Sequence, residues 1–410
     1  MAVVCARAAD AHRLRAEIGW FDPSLRTVLF PDWETLPYDG FSPHQDLISE
    51  RLATLYHLQR REFDVVIVPA ATALYRLPPP AFLAAYTFFL KQGETLGIDQ
   101  LRAQFTLAGY QHVTQVVAPG EYCVRGGLVD LFPMGAALPY RIDLEDEVIE
   151  SIRTFDVDTQ RTIYKVTDVR LLPAREFPLD DAGRNGFRAR FREAFEGDPS
   201  KSPVYKDVSN GVAPAGIEYY LPLFFERTAT LFDYLPAETT LCLHRDVHTA
   251  LTDFWRDTQS RYQFLRGDRT RPLLPPAMLF LTTEEMFIAA NGFARADFGP
   301  GGEGPAQLEL SATPLPSVVV ERRAADPLHR LKAFIAGRAA RVLLLAETPG
   351  RRETLTQYLA EYELRPAPCG SFAEFLDSSA PPALALAVGP LLNGFALEGE
   401  GYAIITESEL

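Results

Sequence analysis

Two arginines mark the stretch most able to make a specific contact. GEYCVRGGLVDLFPMG, residues 120–135, sets Arg125 beside Gly126 and Gly127, and LPYRIDLEDEVIESIR carries Arg141. A guanidinium presents donors in a planar fork and can grip a carboxylate through two of them. Two uses are open. The arginines can anchor a protein partner, where truncating such a residue costs roughly 2 kcal/mol or more. Alternatively they pair across a sheet with Asp130, Asp143 or Glu121, worth about 0–1 kcal/mol if exposed.

Other residues that could do chemistry give less. No G-x-x-x-x-G-K-[ST] phosphate loop occurs. KQGETLGID and FGPGGEGPA lack the lysine and the strand-to-helix setting, so ATP hydrolysis has no evident seat. His244, Asp246 and His248 in LHRDVHTAL could approach one ion, but no further ligand cluster accompanies them, and a strand-to-helix turn explains them as well. RRET, residues 351–354, could bind an anion at a helix start or be solvated charges, with Glu353 favourable to the helix dipole. No G-x-S-x-G is present. Cys5, Cys123, Cys242 and Cys369 lie far apart with no Cys-x-x-Cys pair, which argues against zinc and disulfides and suits a reducing cytoplasm. The residues alone describe a multi-domain binding protein.

The elements that must position these groups follow from patterning. With 410 residues, 47% hydrophobic and 23% charged, the chain has material for several cores. A net charge of −14 speaks against a general nucleic-acid-binding surface. No apolar run reaches the ~18 residues of a membrane span, and the start is not a secretory signal, so a cytoplasmic location is expected. AVVCA, RTVLFPDW and FDVVIVPA read as strands, the last buried on both sides as in parallel sheets. SPHQDLISERLATLYHLQRR reads as a helix capped by Ser42, with Pro43 first inside it, Gln45 completing a capping box, and Leu47, Ile48, Leu52, Leu55 and Tyr56 on one face. From Gly120 to Leu172 period-2 patterns predict a small antiparallel sheet, with Tyr140, Ile142 and Leu144 on one face and Arg141 and Asp143 on the other. DDAGRNGFRARFREAF reads as a helix and GIEYYLPLFF as buried. TTLCLHR and AMLFLTT read as strands completing the first domain, and NGFARADFGPGGEGPAQ as a surface loop. RVLLLAE, GRRETLTQYLAEY and PALALAVGP repeat the α/β grammar. Strands at residue 2 and near the last residue suggest a piece of a longer protein.

Several stretches are more particular. DWETLPYDGFSPHQDLISERLATLYHL, GEYCVRGGLVDLFPMG, LPYRID, FDVDTQRT, PAGIEYYLPLFF and GRRETL together resemble, in order, the N-terminal half of the bacterial transcription-repair coupling factors, the Mfd family. The resemblance implies an α/β fold: a degenerate helicase-like parallel-sheet domain from 1–88 and 173–314, an inserted α+β domain at 89–172 that binds UvrA, and a small α/β domain at 315–410. UvrB shares the module and a comparable R-G-x-x-x-x-F-P strand, but has a working phosphate loop and a long aromatic hairpin; neither is visible here. The full-length family member is implied to be an ATP- and Mg-dependent double-stranded DNA translocase that displaces RNA polymerase through a C-terminal half absent from this chain. A C-terminal domain there is implied to mask the UvrA surface at rest. This stretch is then a recruiting module without catalysis or cofactor of its own. Arg125 stands in the family's R-G motif and Arg141 in its P-Y-R motif, so both carry over as UvrA-binding residues. The family often continues R-[IL]-D-F-F; here Leu144 and Glu145 replace the aromatic pair, with Leu144 the smaller anchor. A UvrB-like ATPase or helicase fragment with direct DNA binding is the alternative.

Overall fold

The computed structural model describes residues 1–298, 312–337, 341–377, 384–397 and 399–410. The chain folds as two units, Met1–Ala11 with Val28–Gly299, and His12–Thr27 with Pro300–Leu410. No described helix is long and apolar enough to cross a membrane.

The first unit opens with β1 (Ala2–Cys5), β2 (Thr27–Leu29) and β3 (Val65–Pro69). Next come β4 (Phe88–Lys91), β5 (Gln111–His112), β6 (Glu121–Arg125), β7 (Leu128–Leu131), β8 (Tyr140–Glu145), β9 (Val148–Phe155), β10 (Thr162–Val166) and β11 (Asp168–Leu171). The chain then returns with β12 (Thr240–His244) and β13 (Ala294–Phe298). The first sheet has the order β13-β12-β1-β3-β2. β1 lies between β3 and β12, parallel to both, and all four of its residues are buried, as an uninterrupted apolar run requires.

The insertion begins and ends on one ladder. β4 pairs antiparallel with β11 from Phe88↔Leu171 to Lys91↔Asp168, so its two connections to the body are hydrogen-bonded to each other. Within it lie the helix Ile98–Ala108 and a six-stranded sheet of order β10-β9-β8-β7-β6-β5. Alternation assigns its faces as expected: Tyr122, Val129, Leu131, Ile142 and Ile152 join the core of the unit.

The structure corrects three local readings. The helix after Pro43 spans Gln45–Arg60, with His44 as N-cap accepting from Asp46 N. Ser42 is drawn elsewhere: its hydroxyl donates to Glu218 at 2.8 Å and accepts from Gly216 N at 3.0 Å. Gln45 donates instead to Ala174 O at 3.0 Å. AMLFLTT is not a strand; it divides between the short helix Pro276–Leu279 and the cap of the helix Thr283–Ala290. The stretch read as a glycine-rich loop contains β13, an edge strand parallel to β12, while residues 299–307 lie outside the described residues.

The second unit holds β14 (Ala312–Thr313), β15 (Arg341–Ala346), β16 (Ala367–Pro368), β17 (Leu384–Val388), β18 (Phe395–Leu397) and β19 (Tyr402–Thr406), in the order β14-β18-β19-β15-β17-β16. The helix Pro349–Glu361 covers one side through Leu355 and Leu359. On the other side Phe372 and Phe375 pack with Trp20 and Phe21, residues distant in sequence but part of this unit. Trp20 Nε1 donates to Val388 O at 2.9 Å, and its ring lies 5.4 Å from that of Phe372.

Candidate protein-docking site

Cross-strand register places the predicted arginines on the outer face of the inserted sheet. Cys123, Asp130, Arg141, Arg153 and Lys165 form one row across β6 to β10, each opposite the next. Arg125, Leu128, Asp143 and Ser151 form the row beside it. The Asp130 side chain, 2% exposed, is the centre. Arg141 grips it with two bonds, Nε to Oδ1 at 2.7 Å and Nη2 to Oδ2 at 3.0 Å. Arg141 also donates to Gln160 O at 3.1 Å, and its guanidinium lies 4.7 Å from the centre of the Phe155 ring. The Arg141 side chain is only 16% exposed, and its bonds to Asp130 hold its pKa above the ordinary arginine value.

Arg125 meets the same carboxylate through Nη2 at 2.5 Å but stays 50% exposed. With half of its side chain exposed, it is the member of the pair able to meet another protein. The Gly126–Gly127 turn positions it. Arg125 and Leu128 are paired with only two residues between them, and Gly126 has φ +61. A Cβ on Gly127 would stand 2.6 Å from Leu144 O, so glycine is required by close backbone approach.

Leu144 does not join the arginines. A register shift between Asp143 and Leu144 pairs it with Ile149, and its side chain packs against the core on the opposite face. Glu145 is exposed at the strand end. Sequence reading missed Arg153 and Lys165, which extend the basic row. Arg153 pairs with Asp143, which also accepts from Ser151 Oγ at 2.6 Å. Alternation in VIESIRTF could have signalled Arg153, since it lies on the polar side of β9.

The other candidate chemistries are taken up by local structure. Asp246 caps the helix Val247–Leu265, accepting from Thr249 N at 3.0 Å, which lowers its pKa. His248 stacks on Phe287, and among the described residues no group of three or more His, Cys, Asp or Glu could hold a metal ion. Arg351 pairs with Glu407, and Thr348 caps its helix. The order of the first sheet places a switch point at the C-terminal ends of β1 and β12, where α/β sheets seat nucleotides. The residues there do not fit ATP with Mg2+. Ala6 N donates to His244 O at 3.2 Å, Arg245 reaches Asp10 at 3.5 Å, and the turn from β1 into the helix Ala8–Phe21 has neither glycine nor lysine.

A buried ion pair secures the sheet's attachment. Arg51, fully buried on the helix Gln45–Arg60, bonds Glu176 at 2.7 Å and Pro31 O at 2.7 Å under the ring of Phe30. Trp33 Nε1 donates to the other oxygen of Glu176 at 3.0 Å. Glu176 lies just beyond β11, so one carboxylate ties the insertion's exit to the body of the unit.

Comparison with known proteins matches residues 88–177 to the UvrB interaction domain and residues 334–410 to the MFD D3 domain. The chain is 43% identical to the transcription-repair-coupling factor of Haemophilus influenzae over 94% of its own length and 34% of that protein's. It is 41% identical to the Escherichia coli factor, over 98% and 35%. The chain belongs to the transcription-repair-coupling-factor family. A more distant coupling factor, that of Bacillus subtilis, is 24% identical over 93% of the chain. The chain spans about a third of the length of these curated relatives. The UvrB interaction domain match brackets the β4–β11 ladder, so the arginine face of this coupling-factor stretch lies inside it.

Proposed function

We propose that this stretch of a coupling factor recruits UvrA for transcription-coupled nucleotide excision repair, through the outer face of the inserted sheet. The observation that carries the reading is the half-exposed Arg125, held by a buried carboxylate inside the region matched to the UvrB interaction domain. Arg125 contacts UvrA, and Arg141 positions it by fixing Asp130. Arg153 and Lys165 extend the positive surface, and Leu144 supports the sheet from its inner side. The stretch acts as an adaptor without catalysis or cofactor of its own, a reading supported by the poor fit of the β1–β12 crevice to a nucleotide. In the full-length protein an ATP-driven, Mg-dependent DNA translocase would lie in the remaining two thirds. That part engages duplex DNA, displaces stalled RNA polymerase and covers the arginine face until needed.

The test is co-elution with purified UvrA. Arg125→Glu is expected to weaken binding at least about thirtyfold, the size of one interface hot spot of ~2 kcal/mol, with thermal unfolding unchanged. Equal co-elution of Arg125→Glu and the unaltered chain would remove this face from the reading. Arg141→Glu is a poorer probe, because the enclosed position 141 would hold a second carboxylate against buried Asp130, whereas a glutamate at half-exposed position 125 can turn to solvent.

A further inference from the structure

We infer that the loop of residues 31–44, together with the span from Arg261 to Arg271, forms a second docking surface that takes an acidic protein segment bearing apolar side chains. The loop contains no helix or strand. It is nevertheless held at many points. Leu36 N donates to Asp39 Oδ2 at 3.1 Å, and Asp39 N to Leu36 O at 3.0 Å. Buried Tyr38 donates from its hydroxyl to Leu274 O at 2.9 Å. Arg261 donates to Pro37 O at 2.8 Å and pairs with Asp39 at 2.9 Å. Arg271 donates to Tyr38 O at 3.3 Å and also to Asp39 O.

Backbone strain is accepted to reach this shape. Glu34 (φ +56) and Tyr38 (φ +66) are both left-handed, a conformation that is unfavourable outside glycine. The result presents Leu36, 59% exposed, and Phe41, 74% exposed, to solvent. Arg261 and Arg271 both bind this loop and bracket residues 262–270 in the sequence, and the Tyr262 ring lies 5.7 Å from that of Tyr38. Among these Phe264 is 87% exposed. Three large apolar side chains on a braced frame are unlike scattered surface residues.

Charge indicates the occupant. Arg266 and Arg269 are exposed, and neither has a carboxylate within ion-pair distance among the described residues. Asp268 between them is turned into its own bend, accepting from Thr270 N at 2.8 Å and Thr270 Oγ1 at 2.6 Å. In a chain of net charge −14, this spot combines apolar groups with spare cations. Its complement offers carboxylates to Arg266 and Arg269 and apolar side chains to Leu36, Phe41 and Phe264. A preorganised frame loses little further conformational freedom on binding. A nucleic-acid strand would also use exposed phenylalanine and arginine, but Leu36 offers no stacking face.

The experiment measures fluorescence anisotropy of three labelled probes at about 0.15 M salt, where surface attraction is screened beyond ~8 Å. The probes are a short peptide of glutamates alternating with leucine and phenylalanine, its glutamine-for-glutamate counterpart, and an oligothymidylate. The glutamate peptide is expected to bind at least about tenfold more tightly than the other two. Phe41→Ser, Phe264→Ser and the double variant R266E/R269E should each weaken it by a similar factor. Arg125→Glu should leave it unchanged, which separates this surface from the arginine face of the inserted sheet. Thermal unfolding identifies any variant that fails to fold; Phe41 and Phe264 lie on different elements, so either serves alone. Absence of binding, binding indifferent to the variants, or preference for the oligothymidylate would each overturn the inference.

Discussion

Arg125 and Arg141 share one carboxylate but differ in what they can do. Arg141 spends its donors on Asp130 and Gln160 O, and Phe155 covers its face. Removing it leaves Asp130 buried with only one partner. Breaking a buried pair from one side costs about 3–5 kcal/mol, so Arg141→Ala is expected to lower the urea midpoint strongly, with Arg141→Lys recovering part of the loss. Arg125→Ala should shift the midpoint little. Glu218 supplies a second residue-level expectation. Burial raises its pKa to about 7, although Ser42 donates to it. Its folded pKa exceeds its unfolded one, so between about pH 4.5 and 7 the folded state binds the extra proton. Stability from this group therefore falls as pH rises through that window, by on the order of 3 kcal/mol in full. Glu218→Gln removes the ionisation, and denaturant titrations at pH 5 and pH 8 should show a flatter dependence than for the unaltered chain. A slope unchanged by the substitution would mean Glu218 does not carry it.

At the scale of elements, the β6–β7 hairpin sets the direction of Arg125. Gly127→Ala forces a Cβ against Leu144 O, and crowding of this kind costs about 1–3 kcal/mol. The expected outcome is joint loss of stability and UvrA binding, measured by thermal unfolding and co-elution. Gly126→Ala has open space around it and should cost less, paying only for its left-handed backbone. These elements were unequally legible in the sequence. β1, β3 and β12 announce themselves as apolar runs, and the two faces of β8 follow from alternation in PYRIDL. β13 does not, because it is a largely exposed edge strand whose charges hide any apolar pattern. Ser42 looked like a helix cap because a hydroxyl before a helix usually bonds the first turn; here Glu218 and Gly216, distant in sequence, claim it. Arg51 gave no sign in the sequence of its burial, because Glu176, Pro31 and Phe30, which enclose it, come from other elements. For the site, the arginines were visible as motif residues, while their unequal exposure depends on how Asp130 is buried.

On the scale of the whole molecule, each unit is assembled from discontinuous sequence. The second unit needs Trp20 and Phe21 from near the start, through aromatic contact with Phe372 and the bond to Val388 O. Truncating a fully buried tryptophan to alanine costs about 3–5 kcal/mol, and partly buried Trp20 is expected to cost less. Trp20→Ala should therefore lower the unfolding temperature of the 312–410 region, read by hydrogen exchange at β15 and β17, while β1 and β12 retain protection. A fragment of 312–410 alone should be correspondingly less stable than the same residues in the full chain. Discontinuity also governs the first sheet. β1 pairs with β3 early in the chain, yet its other edge pairs with β12, Val3 opposite Cys242. A ribosome adds about 5–20 residues per second, so the nascent strand waits roughly ten to fifty seconds before β12 is even synthesised. Throughout that interval an apolar strand, Ala-Val-Val-Cys, keeps one edge open to other chains. The central position that makes β1 the most sheltered strand of the finished sheet thus makes it the longest unprotected one during synthesis.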